Sequence, residues 1–214
     1  MPTADRLRVM APAGPRVIGV DVGGIAMKAV LLEENGALVP LLGAPTPRSA
    51  GPEAVVEAVL ATVDRVAAGV GGFDTLAGIG LVVPGFVDEA SGVAEYSENI
   101  GWRDVPFRDL VTARTGRPVA VGHDVRAGGL AERSLGAAAG ATDALFLAVG
   151  TGVAGALVVE GRALQGTAVG ELGHVDVGSG LPCACGGRGC LETVATGPAM
   201  TMAYAARTGL TVAG

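Results

Sequence analysis

Apolar residues along this chain come in short blocks separated by glycine-rich breaks, and the spacing inside the blocks changes from one to the next. Val17 to Val20 is a β-branched run ending at Asp21. After Gly23-Gly24 a second run extends from Met27 to Leu32, and Glu33-Glu34-Asn35-Gly36 turns the chain toward Ala37 to Leu42. Such runs bounded by turn residues predict a meander of three strands. The spacing then becomes helical: Val55, Val56, Val59, Leu60, Val63 and Val66 follow Gly51-Pro52-Glu53, where proline suits the first turn, and Gly69 to Gly72 ends the helix.

A buried strand from Ala77 to Val83 stops at Pro84-Gly85, and a helix from Pro106 to Thr115, a strand from Pro118 to Val121 and a helix from Val125 to Ala138 follow. Beyond Gly140, Ala144 to Val149 and Val153 to Val159 predict another pair of strands across Gly150-Thr151-Gly152, and a last helix runs from Pro198 to Arg207. This pair repeats the strand, glycine turn and strand that open the chain. Two related lobes, or two unrelated hairpins in one α/β domain, would each produce that pattern. On the two-lobe reading, residues 1–15 are a disordered tail, 16–118 an N-terminal lobe and 119–214 a partial C-terminal lobe.

Half of the 214 residues are hydrophobic, enough for a packed core. No apolar run approaches the roughly 18 residues of a membrane span, and Met1 to Pro15 mixes Asp5, Arg6 and Arg8 with prolines rather than building a signal-peptide core. The expectation is a soluble, cytoplasmic protein with no membrane partner. A net charge of -6 and fifteen dispersed basic residues argue against nucleic acid as a partner. The 36 glycines suit turns that approach a ligand closely.

Three short segments carry chemistry. In Asp21-Val22-Gly23-Gly24 a carboxylate at a strand end precedes two glycines, which lets backbone N–H groups close on a phosphate while the acid faces hydrated magnesium; the same pattern also makes an ordinary hairpin corner. Gly150-Thr151-Gly152 offers a second such turn with a hydroxyl as an extra donor. The strongest signal is His174, Cys183, Cys185 and Cys190: one imidazole and three thiolates match the closed tetrahedral set of structural zinc, with glycines at 186, 187 and 189 to bend the loop 174–190 around the ion. A reduced thiol cluster without metal is the alternative.

The run Gly170-Glu171-Leu172-Gly173-His174, followed by Cys183-Ala184-Cys185-Gly186-Gly187-Arg188-Gly189-Cys190-Leu191-Glu192, resembles the signature of the ROK family, which groups bacterial repressors, open reading frames and sugar kinases. The resemblance extends through Asp21-Val22-Gly23-Gly24, Gly78-Ile79-Gly80, Pro84-Gly85, Val87-Asp88, Asn99, Trp102, His123-Asp124 and Gly150-Thr151-Gly152, and so spans residues 16 to 208. It implies an α/β, two-lobed, actin-like ATPase (ribonuclease H-like) fold. The implied activity is transfer of a phosphoryl group from ATP with Mg2+ to a hexose hydroxyl, that of glucose or a close relative at the 6-position.

By the same resemblance Asp124 is the general base, and Asn99, His123, Asp124, Glu171, His174 and Glu192 hold the sugar. Asp21, Gly23, Gly24, Gly150, Thr151 and Gly152 face the nucleotide phosphates. Zinc sits on His174, Cys183, Cys185 and Cys190, and the protein is a homodimer. Asp124 also suits the cap of the helix predicted from Val125. His123 occupies a position where many members carry asparagine and brings an ionisable ring into the site.

Two departures from the family pattern stand out. Ile25 replaces the threonine that usually follows the two glycines; a hydrogen bond to a charged partner is worth roughly 1.5–3 kcal/mol, so its loss implies about ten- to a hundredfold in rate. Family kinases also continue past this point through a further strand, a glycine-rich turn and a last helix, so the second lobe is expected to be incomplete, with apolar surface uncovered. These departures keep open a catalytically weak sugar-binding pseudokinase. A sugar-responsive transcriptional regulator would need a winged helix domain that the segment ahead of Asp21 is too short to hold.

Overall fold

The computed structural model describes residues 13–166 and 168–210. Most of the tail expected over 1–15 lies outside the described residues; at its end, the Gly14 N–H donates to Glu34 O at 3.0 Å. Strands β1 (Val17–Val22), β2 (Ala26–Leu32) and β3 (Leu38–Pro45) form the antiparallel meander. Helix α1 (Pro52–Gly69) leads into β4 (Gly78–Val83). Three short strands follow, β5 (Phe86–Asp88), β6 (Val93–Tyr96) and β7 (Arg103–Val105), then α2 (Phe107–Thr115), β8 (Val119–His123) and α3 (Asp124–Leu135).

The first sheet has the order β3-β2-β1-β4-β8. Every second residue of β1 and β4 points into the core, so Ile18, Val20, Val22, Ile79, Leu81 and Val83 are all buried. Helix α1 covers them with Val55, Val59 and Val63, each fully buried and worth about 1.5–3 kcal/mol of apolar transfer. Trp102 and Phe107 close the core edge to face, their ring centroids 5.1 Å apart. Strands β1, β4 and β8 run parallel, so Asp21, Pro84 and His123-Asp124 leave the sheet along one carboxyl edge, where ligands of open α/β sheets bind. Strand β8 pairs with β4, which carries the first sheet past the division expected at 118/119.

Strands β5, β6 and β7 form a separate antiparallel sheet that the apolar pattern did not predict. Each holds only three or four residues, too few for a period to show. Gly85 enters it at φ +96°, where a Cβ would also run into Tyr96 O.

Helix α3 begins one residue earlier than expected. His123 is its N-cap and accepts from the Arg126 N–H, so Asp124 is the first helical residue and not the cap. The helix lies on the second sheet, β9 (Ala144–Val149), β10 (Val153–Val159) and β11 (Arg162–Ala163), in the order β11-β10-β9. Contact there is so close that a Cβ at Gly129 would collide with Ala156. Both sheets thus open on an antiparallel hairpin across a glycine turn.

A coil segment from β11 runs back over β10, and after the thiol loop come α4 (Glu192–Ala195) and α5 (Gly197–Thr208), the latter capped by the Thr196 hydroxyl. Alternate residues of β9, Leu145, Leu147 and Val149, are about half exposed. Among the described residues no helix is long and apolar enough to cross a membrane.

Candidate functional site

Asp21, next to last in β1, stands opposite Lys28 and is half-buried. Burial pushes its carboxyl above the usual range, Lys28 pulls it down and Asp124 pushes it up again, so the two acids share one electrostatic neighbourhood. In the hairpin beyond Asp21 the Gly23 N–H closes the turn on Ala26 O at 3.0 Å, and a Cβ at Gly23 would sit 2.7 Å from that oxygen. One of the two expected phosphate donors is therefore used within the turn itself.

Thr46 Oγ1 donates to Gly23 O at 2.6 Å and fixes the hairpin from β3's far end. Gly24, Ile25, Thr46, Arg48, Ser49, Glu98 and Asn99 line an open cleft at its tip. Arg48 donates to Asn99 O at 3.4 Å and supplies a cation beside the turn that no sequence pattern marked, because it stands alone behind a Pro-Thr-Pro stretch. Asn99, expected among the sugar-binding groups, lies in this cleft.

On the same sheet edge, Asp124 Oδ1 accepts the Val125 N–H at 2.7 Å. Burial raises its carboxyl, against the opposing pull of backbone hydrogen bonds and Arg126. His123 is buried with Nε2 3.4 Å from Asp124 Oδ1 and 4.0 Å from Glu171 Oε1. Burial first, then Arg126, lowers the imidazole to about 4, so the ring is neutral at physiological pH. Arg126 donates from Nε to Glu89 Oε1 at 2.8 Å and from its terminal nitrogens to Val87 O and Gly166 O. Neither Glu89 nor Arg126 was marked in the sequence, since they lie on separate elements with no shared period.

Glu171 enters from the segment over β10. Gly170, at φ +95°, brings that segment so near that a Cβ would strike Gly155 O, and the Gly155 N–H donates to Gly170 O at 2.7 Å. Burial raises Glu171; His174 and Arg126 lower it, and Glu192 and Asp124 raise it. The structure thus brings Asp21, His123, Asp124, Glu171, His174 and Glu192 into one cluster.

Ligand atoms of His174, Cys183, Cys185 and Cys190 all lie within 4.8 Å of one another. The Cys185 and Cys190 sulfurs are 3.7 Å apart and Cys183 Sγ is 3.8 Å from His174 Nδ1. Those separations are too long for disulfides and match the edge of a tetrahedron with about 2.3 Å metal–sulfur bonds, about 3.8 Å. Burial, then the neighbouring thiols, pushes Cys190 up to about 12, a cost that a bound dication removes. Positive φ at Gly186 and Gly189 lets the loop fold back, and a Cβ at Gly189 would strike Asp176. The residues fit a structural zinc ion.

Glu192 follows this loop directly. Its Oε1 accepts the Val153 N–H at 2.8 Å, just past the Gly150-Thr151-Gly152 turn, whose Gly150 N–H donates to Gly152 O at 2.9 Å.

The chain matches the ROK family over residues 17–211. It is 38% identical over 184 residues to a glucokinase of Halalkalibacterium halodurans, covering 84% of this chain and 56% of that protein. Its structure superposes on a ROK family glucokinase from Streptomyces griseus in complex with glucose and AMPPNP with a TM-score of 0.78 at 31% identity, covering 91% of this chain and 62% of that one. A xylose repressor of Caldicellulosiruptor bescii is 33% identical over 122 residues, 56% of this chain and 31% of the repressor. The chain therefore spans little more than half the length of the curated glucokinase it matches. Its α/β architecture is that of the two-lobed actin-like ATPase fold, with part of the second lobe covered.

Proposed function

This chain belongs to the ROK family, and from that premise we propose that it forms the sugar-binding and catalytic part of an ATP-dependent hexose kinase acting on glucose or a close relative at the 6-position. The observation that carries the reading is the convergence of Asp21, Asp124 and Glu171 at one sheet edge, directly against the His-Cys cluster. Phosphoryl transfer asks chiefly for positioning and charge neutralisation. Asp124 accepts the proton of the attacking hydroxyl, and its raised carboxyl makes it a better base than an exposed aspartate.

Glu171, His174 and Glu192 orient the other sugar hydroxyls, with Asn99 completing the grip and His123 buried behind Asp124. His174 would hold the zinc through one ring nitrogen, which leaves the other for the sugar. Zinc on His174, Cys183, Cys185 and Cys190 would supply rigidity to that grip. Asp21 and the turns at Gly23-Gly24 and Gly150-Thr151-Gly152 face the ATP phosphates, where Mg2+ would supply charge neutralisation. The protein works in the cytoplasm as a homodimer, its partners a small hexose and a nucleotide, with neither membrane nor nucleic acid involved.

A coupled assay for ADP with the complete gene product over glucose, mannose, N-acetylglucosamine and N-acetylmannosamine tests this reading. Ile25, 78% exposed at the tip of the phosphate hairpin, favours a second one, a catalytically weak sugar-binding pseudokinase. Calorimetric sugar binding without turnover on any of the four would select that second reading. Sugar-dependent DNA binding would instead select a regulator.

A further inference from the structure

His123 is 5% exposed, and both of its ring nitrogens face protein groups. Nδ1 accepts the Arg126 N–H at 3.4 Å. A neutral imidazole that accepts at Nδ1 carries its proton on Nε2. That Nε2 is 3.4 Å from Asp124 Oδ1, nearer than to Glu171 Oε1 at 4.0 Å. The surroundings hold the cap from several sides: Glu89 Oε1 accepts both the His123 N–H at 3.1 Å and Arg126 Nε at 2.8 Å, and the Arg126 side chain is only 9% exposed.

We propose that His123 is a positioning residue for the base: capping α3 locks the tautomer whose Nε2–H points at Asp124 Oδ1, and this sets the orientation of the Asp124 carboxylate. Oδ1 accepts the Val125 N–H and lies 3.4 Å from His123 Nε2, close enough to take a second bond though the two are not aligned as one, and Oδ2 is then the oxygen offered to a substrate hydroxyl. The 3.4 Å separation is longer than the 2.7–2.9 Å usual for a charge-assisted bond, and contacts of this kind tighten when substrate fills a site. Other charged groups facing Asp124 are Asp21 from β1, Glu171 from the segment over β10, and Arg126 from its own helix, itself paired with Glu89. The role in catalysis rests on the kinase reading, whereas the tautomer and the coupling to Asp124 do not.

Two variants of the complete gene product test the proposal. His123→Ser keeps a helix-capping oxygen but has no atom that reaches Asp124, and His123→Asn keeps the cap and offers a shorter amide donor. Heteronuclear NMR is expected to find the wild-type His123 proton on Nε2. Carboxyl-detected titration is expected to find the Asp124 pKa higher by about one unit in His123→Ser and by less in His123→Asn, the loss of one donor to a charged acceptor. The acid limb of kcat/KM moves up with it, while the sugar KM changes less. Thermal unfolding checks that each variant folds, and His123→Asn carries the test if His123→Ser does not.

A proton on Nδ1, or an Asp124 pKa that is the same in wild type and in the folded variants, overturns the proposal. If the wild type phosphorylates sugar with a pH profile unaltered by these variants, the proposal fails and the kinase reading stands. If it phosphorylates nothing yet shows the tautomer and the coupled pKa, the kinase reading fails and the coupling stands.

Discussion

Glu192 Oε1 accepts the backbone N–H of Val153 at 2.8 Å, which joins the residue two places after the last thiol of the loop to the residue that follows the Gly150-Thr151-Gly152 turn. Gly152 and Gly173 flank the carboxylate so closely that a Cβ at either would lie within 2.8 Å of its side chain. The thiol loop and the glycine turn are therefore coupled through one side chain, and only one Glu192 oxygen is used in coupling them. Under the kinase proposal, the other is the oxygen that would take a sugar hydroxyl.

Gly152→Ala should test that coupling. The new Cβ, 2.8 Å from Glu192 Oε1, must displace either the turn or the carboxylate. Overpacking of this kind costs about 1–3 kcal/mol. Steady-state kinetics should show KM raised about tenfold for both ATP and sugar, because displacements near 1 Å degrade positioning steeply. A change in the ATP constant alone would uncouple Glu192 from the turn.

Elemental analysis should find one zinc per chain. Cys185 is exposed, so Cys185→Ser removes a ligand without opening the core. Loss of the metal and a rise of about tenfold or more in the sugar dissociation constant are expected, since His174 loses the partner that orients it. The thiols must shed protons to bind, so a chelator should strip the metal faster as pH falls.

Asp124→Asn should raise the Tm at neutral pH. The folded carboxyl titrates above its unfolded value because it is desolvated, so stability falls as pH rises from the unfolded pKa through the folded one, and the cost is complete above the folded pKa. Asn keeps the acceptor for the Val125 N–H. The gain should vanish at low pH, where Asp124 is protonated in both states. Calorimetry at both pH values checks the sign.

His123 shifts stability in the opposite sense. Its pKa falls from 6.5 to about 4 on folding, so the unfolded chain takes up the proton first as pH drops. The contribution is complete above 6.5 and is lost between 6.5 and about 4. Over that window it amounts to about 3 kcal/mol. Denaturant titrations should show a shallower acid dependence in His123→Asn than in wild type.

Ile25→Thr should improve the nucleotide side of the reaction. Ile25 is 78% exposed, so losing it removes no core contact and Tm should stay within about 1 °C. The hydroxyl restores a donor at the hairpin tip, and kcat/KM for ATP should rise about tenfold.

Local pattern made much of this fold legible. The bounds of β9 and β10 follow directly from two apolar runs around one glycine turn, and the thiol spacing marked the cluster that the structure assembles within 4.8 Å. Pairing over distance was not legible. Glu89 and Arg126 are 37 positions apart and share no period, and β5 to β7 are too short to show one. The cap was misplaced because aspartate is a preferred N-cap and histidine is not, and here the buried His123 outranks that preference.

The most direct measurement is phosphorus NMR of hexose and ATP incubated with the complete gene product and with its Asp124→Asn variant. A hexose 6-phosphate signal is expected from the wild type and none from the variant, with sugar affinity within about tenfold of wild type. Equal turnover by both proteins would remove Asp124 from the role of base and contradict the account.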